Sequence, residues 1–177
     1  MAIAKKKKKF IDVEIPIVGK ETQMQAYEVE ELNGRIMRYD LTRALKGKSV
    51  MLTLDIKADK EKAVAVPKKL ELMPYFIRRM VRKGTNYVED SFDAECKDAN
   101  LRIKPFLVTR RKVSRAVRKA LRNECKKEIL EYVKTKNVEE LFSEVLQNQL
   151  QKKLSMKLKK IYPLALCEIK ILDAKRK

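Results

Sequence analysis

The hydrophobic residues of this chain keep one period in the first half and another in the second, and the first period returns once near the end. Ile11, Val13, Ile15 and Ile17 alternate with Asp12, Glu14 and Pro16. Val50, Leu52, Leu54 and Ile56 alternate with Met51, Thr53 and Asp55. A period of two places one set on each face of a pleated strand, so both runs predict half-buried strands with a polar side. Leu32–Tyr39 predicts a third strand and Ala63–Val66 a short one. Phe92–Cys96 and Leu101–Val108, joined through the polar Asp98-Ala99-Asn100, predict a hairpin. Pro105 cannot donate to a ladder and points to an edge or a bulge. A last alternating run, Leu166–Ile171, follows the helical region and has no neighbour of its own period. It must pair with the early strands, and this ties the two halves into one α+β domain: a mostly antiparallel, barrel-like sheet with packed helices.

The helical signals lie between. In MPYFIRRMVRKG, Pro74 suits a first helical position and Gly84 a C-cap, with Phe76, Ile77, Met80 and Val81 as the apolar face. Ser114–Lys134 predicts one long helix. Asn137 followed by Glu140 reads as a capping box, opening a helix that runs through Val138, Leu141, Phe142, Val145, Leu146 and Leu150 to about Lys160. The expected organisation is a basic arm at 1–9, a single RNA-binding domain at 10–173 and a basic tail at 174–177.

Charge narrows the function. The chain has 177 residues, with 43 Lys and Arg against 24 Asp and Glu and no His, for a net charge of +19. Such a chain repels itself until something anionic neutralises it. Hydrophobic content of 45% is enough for a core. Without His, the commonest general base is missing, together with every Ser-His and Cys-His arrangement. With four glycines and neither GxxxxGK[ST] nor GxGxxG, a phosphate-cradling loop is hard to build. Cys96, Cys125 and Cys167 form no CxxC pair, so neither a metal site nor a cofactor is expected; reduced, packed thiols fit best. The acids Glu89, Asp90, Asp93, Glu95 and Asp98 cluster, which raises metal-assisted cleavage as an alternative. Asp93 and Glu95 alternate with Phe92, Ala94 and Cys96, however, and that is the wet face of a strand. The N-terminal lysines lack a following apolar segment, so they do not read as a secretory signal, and no run is long enough to span a membrane.

The cations are concentrated. Nine of the twenty residues from Val108 to Lys127 are Lys or Arg, and Glu124 is the one acid among them. On a wheel of about 100° per residue, Arg111, Arg115, Arg118, Arg122 and Lys126 fall within roughly 80° of arc. Val113, Ala116, Val117, Ala120 and Leu121 read as the opposite, core-facing side. Like charges at this spacing cost an isolated helix about 0.2–0.5 kcal/mol per pair, a penalty that a polyanion along the ridge would reverse. A membrane-surface helix would need bulky apolar residues opposite the cations. An acidic protein would not account for four cationic places: Lys5–Lys9, Arg78–Lys83, Arg110–Lys127 and the tail. Nucleic acid does. Its candidate contacts are Lys5, Lys6, Lys7, Lys8 and Lys9 in the arm, Arg78, Arg79, Arg82 and Lys83 in the short helix, and Lys104. Around the ridge they are Arg110, Arg111, Lys112, Arg115, Arg118, Lys119, Arg122 and Lys126. RNA is favoured over DNA because no helix-turn-helix, zinc finger or basic zipper is present. With 6% aromatics and no Trp, phosphate and shape should dominate over base stacking.

The stretches LNGRIMRYDLT, YFIRRMVRKGTNYVEDSFDAECKDANLRIKPFLVT, SRAVRKALR and KKIYPLALCEIKIL, in that order, resemble the small-subunit ribosomal protein family of archaea and eukaryotes of the S-three-a-e (e-S-one) type. The resemblance runs from about Lys7 to Leu172. It implies a non-enzymatic, cytoplasmic component of the small ribosomal subunit, bound to its ribosomal RNA on the platform near the mRNA exit, with neighbouring small-subunit proteins. It also implies RNA contacts at Arg110, Arg111, Arg115, Arg118 and Arg122. The alternative is a free RNA- or DNA-binding protein of the chaperone or chromatin type.

Overall fold

A computed structural model describes residues 7–59 and 62–175. Among the described residues, nine strands and four helices make an α+β fold with a mixed sheet. Two compact units divide the chain, one formed by 1–39 and 53–68 and the other by 40–52 and 69–177.

In the first unit, β1 (Lys9–Ile15) and β2 (Lys20–Ala26) form an antiparallel hairpin in register from Lys9↔Ala26 to Ile15↔Lys20. Pro16 ends β1, so Ile17 belongs to the turn rather than the strand, and Gly19 closes that turn at φ +65°. β2 is invisible to a hydrophobic pattern: of KETQMQA only Ala26 is buried, and the ladder to β1 alone makes it a strand. Leu32 ends a 3-10 turn (Val29–Leu32), and β3 starts later than expected, at Ile36–Asp40. β4 (Val50–Ala58), with residues 50–52 belonging to the second unit, buries Val50, Leu52, Leu54 and Ile56 as its alternation requires. β5 (Ala63–Leu72) is longer than expected and pairs parallel with β1 at Val13↔Ala63. This parallel pair makes the sheet mixed.

In the second unit, the short helix α1 (Pro74–Met80) has Pro74 in its first turn. It ends at Val81 rather than at Gly84, which instead takes φ +85° in the turn beyond. β6 (Tyr87–Glu89) and β7 (Phe92–Glu95) then line up along one edge of β8 (Asn100–Thr109). Their registers leave Lys104 and Pro105 in the gap between them, so Pro105 deprives neither strand of a bond there. On its other side a bulge at Lys104/Pro105 absorbs the proline. β9 (Leu164–Lys175) runs antiparallel to β8 along its whole length and to β5 at Lys69–Glu71. The late strand therefore pairs with early ones, as its isolation demanded. Ala174 and Lys175, assigned above to a tail, are its last residues, opposite Leu101 and Asn100.

The ladder order is β2-β1-β5-β9-β8-β6, with β4 joining β3 to β5. The ends of this path do not meet, so the sheet is not closed into a barrel. The barrel-like expectation fails because alternation reports which face is buried and is silent on whether the last strand bonds to the first.

α2 (Arg115–Val133) packs on β6 and β7, and α4 (Gln149–Leu158) packs on β9 and α2. Between them, α3 (Val138–Leu146) contacts α4 and β9. The single helix expected to reach Lys160 is thus two. Asn148 breaks it at φ +60°, a left-handed conformation that Asn tolerates better than most residues. Asn137 does precede α3, but its side chain makes no capping hydrogen bond, so the expected capping box does not form.

Candidate nucleic-acid interface

Arg78 and Arg79 lie in the last turn of α1 and are exposed, while Phe76 anchors the helix. The Arg79 guanidinium sits 5.3 Å from the centroid of the Phe76 ring, and its Nη2 donates to the Gly47 carbonyl at 3.5 Å. Arg82 and Lys83 follow, both exposed. The chain then turns through Gly84, with the Thr85 hydroxyl donating to the Arg82 carbonyl at 2.7 Å.

The next residue, Asn86, joins this segment to the ridge. Its N–H donates to Thr109 Oγ1 at 3.0 Å, and its carbonyl accepts from the Thr109 N–H at 2.8 Å. Its side-chain Oδ1 accepts from the Val113 N–H at 2.9 Å. The Thr109 hydroxyl also reaches the Arg111 carbonyl at 2.7 Å. Arg110, Arg111 and Lys112, all exposed, are therefore held at both ends against the turn that follows Arg82 and Lys83. Ser114 then caps α2 by accepting from the Val117 N–H. Two cationic segments far apart in sequence meet at one polar knot.

The faces of α2 differ from those expected. Ala116 and Ala120 are exposed, and Val113 and Val117 are half-buried. The buried seam is Leu121, Cys125, Ile129 and Val133. Steps of four residues at about 100° each place this seam on the same side as Arg118 and Arg122. Ridge and seam overlap on the wheel, and only the first part of the ridge separates from the seam along the axis: no residue from Arg115 to Ala120 is buried, and the seam starts at Leu121. A wheel discards axial position and could not distinguish the two. Arg118 is half-buried where the seam begins, and its Nε has no partner among the described residues. Arg115, Lys119, Arg122 and Lys126 are exposed. The Lys126 ammonium lies 5.7 Å from the Phe92 ring centroid.

Lys104 does not reach this junction. Lys104 is half-buried within β8, opposite Ile171 and, at the usual strand rise, about 17 Å before Thr109. Lys7, Lys8 and Lys9 are exposed in the first unit, where Lys8 lies 5.7 Å over the Tyr27 ring and Lys9 opens β1. Lys5 and Lys6 lie outside the described residues. Tyr87 and Tyr75, passed over in the sequence, flank the cations with half-exposed rings. Tyr87 stacks on Phe106 at 6.0 Å.

Elsewhere several cations are paired: Lys48 with Glu168 at 2.6 Å, Arg102 with Asp93 at 2.9 Å, Lys136 with Glu144 at 3.0 Å and Lys170 with Glu89 at 3.1 Å. Among the described residues, none of Arg78, Arg79, Arg82, Lys83, Arg110, Arg111, Lys112, Arg115, Arg118, Lys119 or Arg122 forms an ion pair. The first turn of α2 carries no acid, so the positive end of its dipole adds to the same field. The acidic cluster does not converge. The Arg102 hydrogen bond holds the Asp93 carboxyl below its ordinary range, Glu89 faces Lys170, and Asp90 accepts from the Ser91 N–H. Among the described residues, no group of three or more such side chains is arranged to hold a metal ion, and no helix is long and apolar enough to cross a membrane.

Residues 4–174 match the Ribosomal S3Ae family. The small ribosomal subunit protein eS1 of Nanoarchaeum equitans is 28% identical over 168 residues, covering 89% of this chain and 84% of that protein. Its counterpart in Pyrobaculum neutrophilum is 31% identical over 133 residues, covering 74% and 60%. That of Methanothermobacter thermautotrophicus is 30% identical over 95 residues, covering 53% and 49%. The chain therefore spans most of the first relative and about half to three-fifths of the other two. A sheet-and-helix body with an uncompensated cationic junction, matched by this family along nearly all its length, places the chain in the Ribosomal S3Ae family, whose members are non-enzymatic structural proteins of the small ribosomal subunit.

Proposed function

We propose that the junction of α1, the Arg110–Lys112 segment and the start of α2 is the surface by which the chain binds small-subunit ribosomal RNA. The observation that carries this is the convergence of two acid-free cationic segments on one polar knot, with none of their cations in an ion pair among the described residues. Unmatched like charges destabilise a free protein, and phosphates relieve them with release of counterions. The Asn86–Thr109–Val113 knot fixes the backbone carrying Arg110 and Arg111, which lowers the ordering cost of binding. Arginine forks suit bidentate phosphate contacts. Lys104 and the lysines of residues 5–9 add further contacts, and platform proteins of the small subunit flank the bound chain.

Salt dependence tests the assignment. Replacing Arg115, Arg118 and Arg122 together by Gln should lower the slope of log affinity against log salt by about 0.7–0.9 per lost phosphate contact on a small-subunit ribosomal RNA fragment. An unchanged slope would remove α2 from the interface.

A further inference from the structure

α4 carries a second surface of different chemistry. Lys152, Lys153, Met156, Lys159 and Lys160 fall within about 120° of one another on the wheel. Leu150, Gln151, Leu154 and Leu158 fill the opposite side and are buried. Met156, at the centre of the outer stripe, is 66% exposed, and Ile161 beyond the helix is 40% exposed. Lys153 leans over the Tyr132 ring at 4.9 Å, while Lys157 pairs with Glu128 of α2. Among the described residues, Lys152, Lys159 and Lys160 form no ion pair. Glu124, Glu128 and Glu131 of α2 lie close enough to raise the pKa of Lys157, the hydrogen bond it donates to Glu128 contributing most.

These features argue against RNA on this face. A phosphate track has no use for an exposed methionine at its centre or an exposed isoleucine beside it. An apolar centre with a charged rim is the anatomy of a protein–protein contact, and a methionine at such a centre adapts to its partner. Lysines at the C-terminal end of a helix also complement its dipole, which accounts for Lys159 and Lys160 but leaves Lys152 and Met156 unexplained. We propose that the outer face of α4 docks an acidic segment of a neighbouring protein, with an apolar side chain of that segment seated on Met156 and Ile161 and its carboxylates on Lys152, Lys159 and Lys160. This lies outside the RNA junction and rests only on residence in the small subunit.

The test places a photo-cross-linking benzoylphenylalanine at Met156, and separately at Lys119, in chain assembled into purified small subunits. The expected product at position 156 is a protein cross-link whose peptide, sequenced by mass spectrometry, is net acidic and carries an apolar residue at the attachment site. Its yield should fall at least about tenfold when Lys152, Lys159 and Lys160 are all replaced by Glu, since like charges are then opposed. A cross-link to ribosomal RNA, a cross-link to a basic peptide, or no product at position 156 overturns the inference. Position 119 reports independently on the RNA junction: RNA cross-linking there, with nothing at 156, would sink this inference and leave the RNA assignment standing.

Discussion

Thr109 is fully buried at the knot that holds the cationic segments together, and valine has nearly its shape. Thr109→Val keeps the packing and removes one hydroxyl. That hydroxyl accepts from the Asn86 N–H at 3.0 Å and reaches the Arg111 carbonyl at 2.7 Å. Both groups are left without this partner in a half-buried place, which costs about 1–3 kcal/mol; we take about 2 kcal/mol. For a chain of this size that corresponds to a fall in Tm of roughly 4–8 °C. The Thr109 N–H and Val113 N–H bonds to Asn86 survive, so the segment loosens rather than opens. Ordering one further backbone residue on binding costs about 1–2 kcal/mol, so RNA affinity should fall roughly tenfold. Urea unfolding and filter binding to a ribosomal RNA fragment measure the two effects. In a double-mutant cycle with Asn86→Ala, the two losses should couple by about 0.5 kcal/mol or more, because both act on one knot. If Thr109→Val lies within about 0.5 kcal/mol of wild type and binds RNA unchanged, the knot does not organise the interface.

Three further outcomes are expected. Ile129→Ala, deep in the α2 seam, should cost about 2–5 kcal/mol in urea unfolding, whereas Ala116→Lys should stay within about 0.5 kcal/mol; the reverse order would restore the apolar face inferred from the wheel. Burial works to raise the pKa of Glu144, but the Tyr132 hydroxyl at 2.7 Å and the Lys136 ammonium outweigh it, leaving the group below its ordinary value of 4.5. Its stabilisation is present above that value and is lost as pH falls through the depressed one, so acid titration of Glu144→Gln should show a shallower decline than wild type; identical acid limbs would refute this. Burial pushes the Cys125 thiol up to about 12 and raises that of Cys167 further. At pH 8 only about one molecule in ten thousand carries the Cys125 thiolate, so iodoacetamide on native protein should spare Cys125 and Cys167 and label all three cysteines in urea, as read by mass spectrometry.

The sequence determined the class of fold and where positive charge concentrates, because both rest on local quantities. Alternation at Val50–Ile56 specified a strand that buries those four residues. The hairpin around Asp98 and the helix starting at Ser114 were equally local, as was the acid-free run from Val108 to Arg122. Tertiary structure decided what depends on partners distant in sequence. β2 has no pattern of its own and exists through its ladder to β1. Sheet closure is a matter of bonding between the ends of the strand order. The break at Asn148 is set by a left-handed residue inside a continuous apolar period. The seam of α2 is set by where β6 and β7 lie beneath it, which no wheel records. Asn86 illustrates the difference most directly. In sequence it is one polar residue in a turn. Only the pairing of β6 with β8 brings Thr109 and Val113 to it, and that contact turns two separate runs of positive charge into one surface.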